Sequence, residues 1–140
     1  MADKEDVKRW LNRGWVINLE INALEKLKEE TYQNIISSTQ SLESAPISGS
    51  KDPHKLDRYA VLSSTLDERI DELVAIKEEI IRAVSMIDNS RHRTLLISRY
   101  TRFMTWERIS DEMHYSVRNV MKLHDKALQA LTEKSALFFT

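Results

Sequence analysis

Val117, Arg118, Met121, Lys122 and Lys126 are separated by one, three and four residues, so a helix beginning after Ser116 would carry all of them outward. That set matches what the grooves of duplex DNA ask of a protein. A guanidinium reads guanine, apolar surface meets thymine methyls, and ammonium groups contact phosphate. Asn119 stands beside them with an amide suited to adenine or to a phosphate oxygen. Backbone amides near Ser116 would hold another phosphate. Thr105 and Arg102, just upstream, complete the candidate DNA-contacting set.

Other residue types offer less. His54, His92, His114 and His124 share no ligand spacing and there is no cysteine to help them, so no metal site is expected. The carboxylates Asp67, Glu68, Asp71, Glu72, Glu78 and Glu79 have the three- and four-residue spacing with which all-α magnesium-dependent nucleotide pyrophosphohydrolases hold their metal. The same residues fall opposite an apolar seam, where charge simply keeps a helix in solution. No nucleophile paired with a base and no glycine-rich phosphate loop is present, so neither an enzyme nor a cofactor is expected. Arg91, Arg93, Arg99 and Arg102 admit two readings, phosphate contact or a solvated face. Trp10, Trp15 and Trp106 read as core or interface anchors rather than platforms for bases, with Trp106 packed under the basic helix.

Positioning such a face requires a helix-turn-helix, two short helices with small or apolar residues at fixed offsets. Residues 106–123 meet those offsets: Ile109, Met113, Tyr115, Val120 and Leu123 turn inward, and the small Ser110 sits where the helices approach. His114 occupies the turn position that favours a left-handed backbone, where glycine is most comfortable and His is tolerated. Thr105 caps a helix running to Met113, and Ser116 caps one running to about Thr132. A further helix covers about residues 90–101.

Upstream, residues 4–39 read as one long amphipathic helix with Ile17, Ile21, Leu24, Leu27 and Ile35 on one stripe and Gly14 inside it, as a kink or a tolerated cost. Residues 41–53, rich in Ser with Pro46, Gly49 and Pro53, read as a linker. A second long helix, about 54–87, repeats Tyr59, Leu66, Leu73, Ile80 and Ile87 every seven residues, interleaved with Leu62, Ile70, Ile76 and Val84. At about 1.5 Å per residue it extends roughly 50 Å and must pair. The simplest partner is the first helix, folded back as an antiparallel hairpin, and the next is the same pair from another subunit. The expected fold is therefore all-α: a coiled-coil-like helical hairpin over 1–88 that mediates a homodimer or higher oligomer, a helix-turn-helix domain over 89–132, and an apolar tail over 133–140.

The run Arg93-Thr94-Leu95-Leu96-Ile97-Ser98-Arg99-Tyr100, followed by Thr105-Trp106-Glu107-Arg108-Ile109 and ending in Lys126-Ala127-Leu128-Gln129-Ala130-Leu131, resembles the DNA-binding region four of sigma-70-type factors. It is more closely similar to phage and prophage regulators of the ArpU and RinA kind, over about 40 residues. The resemblance implies a regulator of late or autolysin genes in a bacterial host, acting at a promoter with RNA polymerase. It places Val117, Arg118, Met121, Lys122 and Lys126 on DNA-facing positions, with Val117 and Met121 where polar residues are common. The other DNA-binding reading is a small-terminase-like packaging subunit, which carries a similar motif on an oligomeric helical stem.

Composition agrees with these readings. Only two glycines and two prolines occur in 140 residues, too few for a turn-rich β fold. Residues 1–88 hold 12 Lys/Arg against 17 Asp/Glu, whereas residues 89–140 hold 9 against 5, so affinity for a polyanion belongs to the C-terminal part. The charged start Asp3-Lys4-Glu5-Asp6 and the lack of any long apolar run predict a cytoplasmic protein with no membrane partner. The lack of cysteine suits a reducing compartment.

Overall fold

Asp3 opens the chain's first helix with a reciprocal cap: its side chain accepts from the Asp6 amide, and the Asp6 carboxylate accepts from the Asp3 amide. In the computed structural model, which describes residues 2–44 and 54–138 and only the backbone of 39–44, that helix is α1 (Lys4–Leu11). It is followed by α2 (Arg13–Ser44), α3 (Lys55–Val84), α4 (Ser90–Tyr100), α5 (Trp106–Met113), α6 (Val117–Glu133) and a short 3-10 turn over Ser135–Leu137. The fold is all-α, with no strand among the described residues.

Three boundaries differ from the sequence expectation. The first helix is two helices, and the break falls at Asn12 rather than Gly14. Gly14 lies inside α2, where a Cβ would stand 3.3 Å from the Phe103 ring and 3.4 Å from Leu73 Cδ1; its bareness admits a neighbour instead of bending the backbone. Second, residues 41–44 continue α2 rather than opening a linker. Serine costs only a few tenths of a kcal/mol in a ladder already nucleated. The rest of the expected linker, 45–53, lies outside the described residues. Third, the tail turns back: Ser135 is buried, and the Phe138 ring lies 4.9 Å from that of Trp10.

The chain divides into two compact units, one of residues 17–72 and one of residues 1–16 with 73–140. The division does not fall at residue 88, because α1 and the second half of α3 belong with the C-terminal helices.

In the first unit α2 and α3 run antiparallel. Glu20 bonds Arg69 at 2.9 Å, the Tyr32 and Tyr59 rings lie 6.1 Å apart, and Ser38 accepts from Lys55, so rising numbers on one helix meet falling numbers on the other. Ile21 and Leu66 are buried between them. Ile70, expected in the seam, is 37 % exposed. Strict alternation of three and four residues runs 59, 62, 66, 69, 73, so it is Arg69 that falls on the seam, where Glu20 receives it.

In the second unit α6 is the centre, with α1, α4, α5 and the 3-10 turn packed on it. Leu95, Met104, Ile109 and Val120 form a fully buried cluster, with Trp106, Met113, Tyr115 and Leu123 packed against it. Ile80, Val84 and Ile87 are buried in the same unit. Arg93 donates to the carbonyls of Ile87 (2.6 Å) and Asp88 (2.9 Å), and Asn89 caps α4, so the turn between α3 and α4 is fixed from both sides.

Candidate nucleic-acid interface

Each end of the α5-turn-α6 segment is specified locally. Thr105 Oγ1 accepts from the Arg108 amide at 3.2 Å and Ser116 Oγ from the Asn119 amide at 3.1 Å, so both expected caps are in place. His114 takes the left-handed conformation, φ 59° and ψ 40°. The Ser110 carbonyl receives the amides of His114 and Tyr115, and Ser110 Oγ donates to the Tyr115 carbonyl. Ser110 is small enough to be buried here and polar enough to tie the turn. Ile109 and Val120 are fully buried, and Met113, Tyr115 and Leu123 pack against them, so the inward set is the one the sequence predicted.

The remainder of α6 faces outward. Arg118, Asn119, Lys122 and Lys126 are exposed, as are Val117 (39 %) and Met121 (42 %). Among the described residues, Arg118, Lys122 and Lys126 enter no ion pair, whereas Lys4, Arg9, Arg13, Arg69 and Arg82 each have a carboxylate partner. The one acidic residue among the next turns, Asp125, is 3.4 Å from Lys4 of α1. The crest therefore presents cations and apolar surface without internal neutralisation. Thr105 and Ser116 are exposed, although each hydroxyl already serves as a cap. Arg102 lies apart from this crest, at the entry to α5, where Glu112 accepts from it at 2.9 and 3.3 Å. That hydrogen-bonded pair holds the Glu112 carboxyl below its ordinary range.

On the flank of α6, Tyr115, Asn119, Lys122, Leu123 and Lys126 line an open groove of about 240 Å³. Two residues of α4 come near residues that line it. The Arg91 guanidinium is 6.0 Å from the Tyr115 ring, and His92 stands near Lys126. Burial first, and then the Lys126 charge, lower the His92 pKa; its Nδ1 is enclosed with no hydrogen-bond partner among the described residues. Sequence reasoning left Arg91 open and did not single out His92, because nothing local shows that α4 comes alongside the turn 24 residues later.

The platform beneath α6 is polar at its centre. His124 Nε2 and the Tyr100 hydroxyl are 2.7 Å apart, both buried. Burial, helped by the charges of Lys8 and Arg99, pushes His124 down to about 4, and burial pushes Tyr100 up to about 12. Both are thus neutral at pH 7. The Trp106 ring meets His124 edge-on at 4.7 Å. Arg99 lies 4.2 Å from Trp106 and 4.7 Å from Trp15, donates to the Met104 carbonyl, and offers its own carbonyl to Trp15 Nε1. Of the four arginines near the motif, then, Arg93 and Arg99 hold the scaffold and Arg102 holds Glu112.

Elsewhere, the acidic residues of α3 are exposed, and four of them have a partner: Asp57 with His54, Glu72 with Arg69, Glu78 with Arg82 and Glu79 with Arg13. No group of three or more His, Asp or Glu among the described residues is placed to hold a metal ion. No described helix is long and apolar enough to cross a membrane. No protein-family model, curated protein or solved structure matches the chain.

Proposed function

We propose that the protein binds duplex DNA by inserting α6 into the major groove, and that it regulates transcription at a promoter, in the manner of the phage and prophage ArpU and RinA regulators its C-terminal sequence resembles. The observation that carries this reading is the outward face of α6, where Arg118, Lys122 and Lys126 stand exposed, with no carboxylate partner among the described residues, beside Val117 and Met121. Arg118 then reads a base edge, Val117 and Met121 meet thymine methyls, and Lys122 and Lys126 contact phosphates. The protein acts as a homodimer or higher oligomer in the cytoplasm of a bacterial host and contacts RNA polymerase.

Selection of bound sequences from random duplexes tests the reading. Arg118→Ala is expected to cost about 1–3 kcal/mol on the selected sequence and to relax one base position. Lys126→Gln is expected to weaken all duplexes alike. A parent chain that enriches no sequence, or variants that bind as the parent does at physiological salt, would remove the assignment.

A further inference from the structure

The groove on the flank of α6 has a composition of its own. Two ammonium groups, Lys122 and Lys126, and the Asn119 amide line it, and among the described residues no carboxylate does. Tyr115 and Leu123, both part-buried against the core cluster, supply the apolar remainder of its wall. Such a wall lowers the local dielectric and strengthens the attraction of these cations for an anion. A third cation comes from another helix: Arg91 of α4 lies over the ring of Tyr115. His92, on the same helix, has its pKa lowered by burial first and then by the Lys126 charge, which sets that ammonium group near α4. The volume of about 240 Å³ exceeds the roughly 30 Å³ share of a water molecule several times over, enough for a tetrahedral anion with part of its hydration.

We propose that this groove seats one phosphodiester group of a DNA backbone, clamped between Lys122 and Lys126 of α6 and Arg91 of α4, with Asn119 as a neutral donor. The proposal rests on the reading of α6 given above and adds a second contacting element to it. Base edges met by the crest fix which sequence is read, but leave α6 free to roll about its own axis. A phosphate held on the flank by a residue of a different helix removes that freedom and sets the register of the crest on the bases.

The test uses the full chain and a duplex of the selected sequence, with single uncharged methylphosphonate linkages stepped along each strand. Arg91→Gln, at an exposed position, is expected to weaken selected and random duplexes alike, by about threefold to fivefold. One linkage is expected at which removing the charge weakens the parent by a similar factor while leaving the doubly substituted Arg91→Gln/Lys126→Gln protein unaffected. If Arg91→Gln binds as the parent does, or no linkage behaves this way, the seat is wrong; Arg118→Ala still relaxing a base position would then leave the reading of α6 intact. A parent with no measurable duplex binding overturns both. Inorganic phosphate alone, followed through the His92 ring resonances, separates the remaining source: a response that the duplex does not displace assigns the groove to a free anion and overturns the DNA assignment.

Discussion

Arg99 and Arg118 carry the same guanidinium to different ends. Arg99 is spent on two tryptophan faces and a carbonyl, whereas Arg118 has no partner among the described residues. Residue type alone did not separate them; the separation depends on Trp15 coming from 84 positions away. His124 offers a sharper test of the platform. Its pKa falls from 6.5 in the unfolded chain to about 4 in the folded one, so between those values the unfolded state binds more protons. Its contribution is complete above pH 6.5 and is lost as pH falls toward 4, by on the order of 3 kcal/mol. Urea unfolding of the parent across that window is expected to show falling stability. His124→Gln, which keeps a polar partner for Tyr100, is expected to flatten the slope; equal slopes would mean that the ring is not enclosed as described.

At the scale of elements, the motif was the most legible part of the sequence, because its signals are local. Thr105 and Ser116 each precede a helical apolar pattern, and both act as caps; His114 was identified from the offsets of its neighbours. Removing one cap measures how much the start of α6 depends on it: Ser116→Ala is expected to cost about 1 kcal/mol and to lower the melting temperature by a few degrees. A melting temperature equal to the parent's would show the amide of Asn119 satisfied by other means. What the sequence concealed is tertiary. The break at Asn12 carries no proline and follows from where α1 must lie on α6. Gly14 is explained only once Phe103 is seen over it. Phe103 itself has φ 56°, a strained value for an aromatic residue, held where its ring meets Trp15 at 5.3 Å and Lys77 at 5.2 Å. Gly14→Leu, which keeps helix propensity but fills that space, is expected to destabilise by about 1–3 kcal/mol in chemical unfolding. Unchanged stability would mean that the Phe103 ring can move aside.

Over the whole molecule, charge is sorted by unit. Residues 17–72 hold 6 Lys/Arg against 11 Asp/Glu, and the rest of the chain holds 15 against 11. The proposed DNA contact lies in the basic unit. The acidic one carries exposed Leu19, Leu27, Tyr32, Leu56 and Val61, and a largely apolar groove of about 420 Å³ that Leu27 and Val61 help to line. If this unit joins the subunits, as the reading of the long helices requires, the two associations must respond to salt in opposite directions. Joining two units of net charge −5 is opposed by repulsion, which ions screen, with a Debye length of about 8 Å at physiological ionic strength against roughly 30 Å in dilute buffer. Duplex binding instead weakens as salt rises, because counterions released into a more concentrated solution gain less entropy. Light scattering after gel filtration is therefore expected to give a dimer or larger species at tens of micromolar, with its share growing from dilute buffer to physiological salt while duplex affinity falls. Leu27→Glu/Val61→Glu should return the monomer with helix content unchanged. A strict monomer at every salt concentration would remove the oligomer and, with it, the presentation of two recognition helices to one duplex.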